Sequence, residues 1–242
     1  FWGALGLPRT EAIDRACAYM LAHSRLPDGR FSAHRTAQGA ITCLNGNLLR
    51  AMLQLGCEDP RLDEVAEALA QMVARDGFRC RFNAPGAAGG RPPARMGDGL
   101  PCAWGAVKAL GAFAQLPEDR RSPSVSAAIE AGVALLLDGD LAAGDFPTGT
   151  EPSPLWRRFG FPLGYTSDLL EALAVLARLG VLPDSRLMPA VSIVRRKQDG
   201  RGRWALEYTP ERTWASFGEI GRPNKWLTIR ALCVLEAWGQ EG

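Results

Sequence analysis

Four stretches decide the fold: Asn45-Gly46-Asn47-Leu48-Leu49-Arg50-Ala51-Met52-Leu53, Ala103-Trp104-Gly105-Ala106-Val107-Lys108-Ala109-Leu110, Thr166-Ser167-Asp168-Leu169-Leu170-Glu171-Ala172-Leu173 and Trp226-Leu227-Thr228-Ile229-Arg230-Ala231-Leu232. Aligned on Ala51, Ala109, Ala172 and Ala231, they recur at steps of 58, 63 and 59 residues. A period of that length marks a repeated supersecondary unit. Each stretch is rich in apolar and small residues and carries few charges. A helix apolar nearly all round has to be buried on both sides. These four are therefore expected as inner helices.

Working outward, the first three stretches are each followed by a turn and a more polar segment. These segments begin near Pro60-Arg61, Ser122-Pro123 and Asp184-Ser185. Proline suits a first helical turn, and Ser122 or Asp184 can cap orphan amides. Residues 10–24 read as another outer helix, with Ile13, Ala16, Cys17, Met20 and Leu21 on one apolar stripe. Three Asp-Gly loops close the unit: Asp28-Gly29-Arg30-Phe31, Asp76-Gly77-Phe78 and Asp199-Gly200-Arg201-Gly202-Arg203-Trp204. Asp-Gly makes a tight turn with a positive φ, and the aromatic after it is placed to pack back on the helices. The unit is thus inner helix, turn, outer helix and Asp-Gly-aromatic loop. Its repetition predicts an all-α, double-layered array in one domain over residues 1–242.

Bulk properties narrow the partners. The 28 basic and 26 acidic residues are mixed along the chain and leave a net charge of +2. That balance exerts no strong pull on nucleic acid or anionic membrane. The basic cluster Arg75, Arg79, Arg81, Arg91 and Arg95 is broken by Pro, Gly and Ala and reads as a solvated loop. No run approaches the ~18 apolar residues of a spanning helix. The six cysteines are scattered without short-spaced pairs, which suits a reducing, cytoplasmic setting better than a disulfide framework. Leu5-Gly6-Leu7-Pro8, after a first residue that is not Met, reads as the end of a helix that begins upstream. The N-terminal helices of the array are then expected to lie outside this sequence, with another segment or chain completing it.

A hairpin repeat of this length with an Asp-Gly-aromatic loop resembles the prenyltransferase and squalene-oxidase repeat. Phe161-Pro162-Leu163-Gly164-Tyr165-Thr166-Ser167-Asp168-Leu169-Leu170 and Pro223-Asn224-Lys225-Trp226-Leu227-Thr228 resemble the approach to an inner helix in that group. The resemblance covers essentially the whole chain, and is nearest to the bacterial branch of unassigned activity. It implies an α/α toroid of the terpenoid cyclase and protein prenyltransferase superfamily. It also implies an apolar, isoprenoid-like ligand in the central cavity. The alternative is a non-catalytic toroid that binds a peptide, lipid or protein partner. The family's catalytic words do not carry over. The Asp-x-Asp-Asp acid motif, the Asp-x-Cys and later His of the zinc-dependent prenyltransferases, and the Gly-Cys-Gly-Glu-Gln thioester are all absent. Asp138-Gly139-Asp140 reads as a helix terminus.

Three sets of residues remain as candidates. Cys43 and Cys102 fall one position apart at the starts of successive inner helices, and Cys80 lies in the loop between them. Three thiolates with His34 or water would suit Zn²⁺; the bland reading is buried small hydrophobes. Asp168 sits in the first turn of an inner helix. Burial there would raise its pKa, as a general acid needs, whereas service as a helix cap would lower it. Asn47 aligns with it, so a polar residue at this point is also explained as a feature of the repeat. Among the aromatics, Trp104, Trp156, Tyr165, Trp214 and Trp226 could line a ligand site through cation–π or stacking contacts, or simply pack the core. A weaker reading, an α/α barrel acting on carbohydrate, would use Glu207, Glu211 and Glu219.

Overall fold

A computed structural model describes residues 3–79, 101–144, 152–210, 213 and 215–239. It is 57% helical, far above the roughly one third of an average domain. Among the described residues there are eight α-helices and no strand. They are α1 Glu11–His23, α2 Thr42–Gln54, α3 Arg61–Asp76, α4 Ala103–Phe113, α5 Pro123–Leu137, α6 Leu169–Arg178, α7 Met188–Arg196 and α8 Lys225–Gly239. No helix among the described residues is long and apolar enough to cross a membrane. Contacts divide the chain into two compact units. The first holds residues 1–135 and 148–150, the second residues 136–147 and 151–242.

The helix starts follow the local chemistry. The Thr10 hydroxyl accepts the Ile13 N–H at 3.3 Å and starts α1. Its buried stripe is Ile13, Cys17 and Leu21. The Ser122 hydroxyl accepts the Val125 N–H at 3.1 Å ahead of α5. Asp184 accepts the Arg186 N–H at 2.9 Å in a 3₁₀ turn, Ser185–Leu187, that leads into α7. Gly77, with φ +58°, ends α3 in the left-handed conformation that glycine adopts without a Cβ penalty.

In the first unit α2 packs most extensively on α4 and then on α3. Glycines set the approach of α2 to α4. A Cβ on Gly46 would lie 2.5 Å from the Lys108 carbonyl carbon and oxygen. The Thr42 Cβ faces Gly105 at one end, and the Arg50 guanidinium lies over Gly111 at the other. Thr42, Gly46 and Arg50 thus meet Gly105, Lys108–Ala109 and Gly111 in the same order. Partners that ascend together define parallel helices, so α2 and α4 run parallel. Two parallel neighbours separated in sequence by α3 are what an inner–outer–inner repeat requires. In the second unit α6 packs on α8, and α7 touches both.

The Asp-Gly loops repeat one clamp. After each, the aromatic residue's carbonyl accepts a hydrogen bond from the start of the next helix described. Phe31 O is held by Asn45 Nδ2 at 3.0 Å, Phe78 O by the Cys102 N–H at 3.0 Å and Trp204 O by the Asn224 N–H at 2.7 Å. The aromatic N–H is also taken in two cases, by Asn45 Oδ1 at 2.7 Å for Phe31 and by Thr228 Oγ1 at 3.1 Å for Trp204. Phe31, Phe78 and Trp204 are all buried. The aspartates fold the loops themselves: Asp199 accepts the N–H groups of Arg201 at 2.8 Å and Arg203 at 2.9 Å, and Asp28 accepts that of Arg30 at 3.2 Å.

Candidate functional site

Asp168 is the candidate on which most of the geometry converges. It is the N-cap of α6: one carboxylate oxygen accepts the Glu171 N–H at 2.7 Å. The other accepts the Gly160 N–H at 2.7 Å and so fastens the preceding loop. That loop is pinned from a second side, where the Phe159 N–H donates to the Glu207 carboxylate at 2.7 Å and the Phe161 N–H to Tyr208 O at 3.1 Å. The carboxyl is 1% exposed. Burial is the largest influence on it and pushes its pKa up to about 6 from the ordinary 3.8. The Arg230 charge and the two amide bonds pull the other way, and Glu171 adds to the push. Asp168 is thus both a helix cap and a buried carboxyl, and burial outweighs capping in the balance of charge.

The folded protein holds this proton more tightly than the unfolded chain does. Asp168 therefore contributes stability that is full below pH 3.8 and is lost as pH rises through about 6. The expected loss is roughly 3 kcal/mol across that window. An Asp168→Asn variant keeps a cap-competent side chain and removes the titration. Urea unfolding measured between pH 4 and 8 should show the wild-type slope and its absence in the variant; equal slopes would contradict the assignment.

Around Asp168 the second unit collects groups from the aligned positions of the repeat. Glu171 and Arg230 occupy the position just before the aligned alanine, as do Arg50 and Lys108 in the first unit. Glu171 and Lys108 are buried at 4% and 1% exposure, which a reading of these helices as simply apolar misses. The common register was the signal that could have found them. Two buried polar atoms here, Ser167 Oγ and Arg230 Nη1, have no hydrogen-bond partner among the described residues. The Arg230 guanidinium lies 6.0 Å from the centre of the Phe161 ring. Phe161 stacks on Trp226 with centroids 4.7 Å apart and planes 7° apart, and Phe217 meets both rings edge-on at 5.6 Å. Asn224 braces this group: its Oδ1 accepts the Trp226 N–H at 3.1 Å and its Nδ2 donates to Phe217 O at 2.7 Å.

The other candidates fall in different places. Trp156 is buried, and its indole N–H donates to Leu141 O at 2.9 Å, so it works as a core anchor. Tyr165 is exposed, and Trp104 is half-buried in the first turn of α4. Trp214, Cys80 and Glu211 lie outside the described residues. Cys102 is the N-cap of α4, with its sulfur accepting the Gly105 N–H at 3.5 Å, and Cys43 is half-buried in the first turn of α2. Among the described residues no three His, Cys, Asp or Glu side chains are grouped to hold a metal ion, and Cys80 of the cysteine trio lies outside those residues. Glu207 is bound to Lys197 Nζ at 2.5 and 2.7 Å, and Glu219 is exposed beside Arg222. A cleft of about 450 Å³ in the second unit is lined by Asp140, Arg157, Arg196 and Lys197 among others. Its Arg157 is spent on the carbonyls of Ala142 and Ala143, and its Lys197 on Glu207.

In comparisons with protein-family models, curated proteins and solved structures, the chain matches none.

Proposed function

We propose that the hairpins are those of an α/α toroid of the terpenoid cyclase and protein prenyltransferase kind. On this reading the second unit binds an isoprenoid-like ligand. Its apolar body lies against Phe161, Phe217 and Trp226, and its polar end meets Asp168 and Arg230. The parallel, glycine-seated packing of α2 on α4 and the repeated loop clamp support the toroid. The single observation that carries the ligand reading is the juxtaposition of a buried acid, a guanidinium with an unpartnered nitrogen and a braced set of aromatic rings. Aromatic faces suit alkene chains and any cationic character that develops on them. An acid whose pKa stands near 6 exchanges its proton readily near neutral pH.

One observation favours the alternative, a toroid that holds a lipid, peptide or protein without turning it over. Both oxygens of Asp168 are engaged by backbone amides, which suits a structural carboxylate. Calorimetric titration with farnesol, farnesyl diphosphate and squalene, followed by product analysis, separates the two. Saturable binding is expected, weakened about tenfold by Trp226→Ala, as loss of one stacking wall predicts. A cyclised or transferred product lost in Asp168→Asn would assign Asp168 as the acid. Binding of none of the three by folded protein would overturn the isoprenoid reading.

A further inference from the structure

We infer that the outward face of α8 is a self-association surface, on which a second copy of this chain lays its own α8 antiparallel. The helix is buried along Leu227, Ala231 and Val234. At about 100° per residue, the side opposite that stripe carries Lys225, Ile229, Leu232 and Glu236. All four are exposed, Ile229 at 59% and Leu232 at 48%. They follow one another at steps of four, three and four residues. That is the spacing of a seam between two helices packed along their length. The outward side of a helix in a globular protein is ordinarily polar. Here its centre is Ile and Leu, with a cation at the N-terminal end and an anion at the C-terminal end.

The charged ends select the occupant and its direction. Neither Lys225 nor Glu236 is in an ion pair among the described residues. Consider an antiparallel pair whose two-fold axis passes between Arg230 and Ala231. Ile229 then faces Leu232 of the partner subunit, Lys225 faces the partner's Glu236, and the symmetry makes each contact twice. One register thus covers both apolar side chains and pairs both charges. A parallel pair sets like charge on like charge at each end, which is repulsive. A seam like that of α2 and α4 also fits less well, because it closes on Gly46, Gly105 and Gly111, where the α8 stripe offers Ile229 and Leu232. Cys233 is exposed beside the stripe. In the antiparallel register its two copies stand about 7.5 Å apart along the axis, on helices about 8–10 Å apart. That is too far for a disulfide and within reach of a short bismaleimide. This surface does not depend on the ligand reading above.

The test is sedimentation velocity of the purified, reduced chain over a concentration series from roughly 1 to 300 µM. A one-helix interface is small and binds weakly, so the species should shift from one chain mass toward two across that range. Leu232→Glu is expected to leave the far-UV circular dichroism spectrum and the melting curve unchanged, because the side chain is exposed in the single chain. It should weaken the dimer by at least about tenfold. Lys225→Glu sets a carboxylate against the partner's Glu236 at both ends and should weaken it by about tenfold. Lys225→Glu combined with Glu236→Lys should restore the wild-type affinity. Loss and recovery together mark the antiparallel register, since a parallel pair gains no repulsion from the single change. Bismaleimidoethane should join two wild-type chains through Cys233. A chain that stays monomeric throughout, a dimer indifferent to Leu232→Glu, a double variant that does not recover or a direct Cys233 disulfide between copies would each overturn the inference.

Discussion

Replacing Gly46 by alanine is expected to destabilise the first unit by about 3 kcal/mol or more. The added methyl would stand 2.5 Å from the Lys108 carbonyl carbon and oxygen and 2.8 Å from the Ala109 nitrogen. These are backbone atoms of a packed helix, so relief requires α2 and α4 to separate along the whole face from Thr42 to Arg50. Gly111→Ala provides the control. There the nearest atom, at 2.9 Å, is Nη1 of Arg50, the far end of a flexible side chain. It can swing aside, and the expected cost is below about 1 kcal/mol, offset in part by the better helix propensity of alanine. Urea midpoints of the two variants, compared at constant m-value, check the contrast. Equal midpoints would mean that α2 and α4 do not meet at Gly46.

Trp204→Ala is expected to cost about 3–5 kcal/mol, the range for removing a large buried aromatic. Trp204 is fully buried and follows the third Asp-Gly loop. Its backbone N–H and carbonyl are held by Thr228 Oγ1 and the Asn224 N–H, and its indole N–H donates to Val194 O at 2.7 Å. Trp204 therefore joins the end of α7, through its indole, to the start of α8, through its backbone. Trp204→Phe keeps a ring but removes the indole bond to Val194 O, which then keeps only the Lys197 N–H at 3.3 Å, and about 1 kcal/mol is expected for it. Thermal or denaturant unfolding of the series alanine, phenylalanine and tryptophan should rise in that order. A phenylalanine variant as unstable as the alanine variant would place the effect in the hydrogen bond instead of the packing.

The parts of the fold that were legible in the sequence are the locally determined ones. Helices at the four aligned stretches, proline and serine starts, and Asp-Gly turns depend on a few adjacent residues and form where the spacing put them, but α8 buries only Leu227, Ala231 and Val234 and leaves Ile229 and Leu232 exposed, against the expectation of burial on both sides. Asp168 was legible for the same reason: a carboxylate ahead of an apolar helical run is a cap, and an apolar run implies burial. The balance between those two effects was not legible, because it depends on how much of the second unit covers the carboxyl. The alignment chose Asn47 as its counterpart, whereas Asn45 makes the hydrogen bonds that clamp the loop at Phe31. A register drawn from one alanine cannot fix where each helix begins. The cysteine trio is not decided by the described residues, because Cys80 lies outside them. Trp156 and Trp204 were legible as important rings, but their use as core anchors rests on carbonyl partners 15 and 10 residues away.

We propose that the second unit holds an apolar ligand between the aromatic group at Phe161, Phe217 and Trp226 and the polar end at Asp168 and Arg230. Photo-crosslinking with a benzophenone-tagged isoprenoid, followed by peptide mapping, tests it most directly. Label is expected in residues 159–170 and 215–230, competed away by untagged farnesol and reduced in Trp226→Ala. Uncompeted label, or competed label confined to residues 11–76 of the first unit, would contradict the claim.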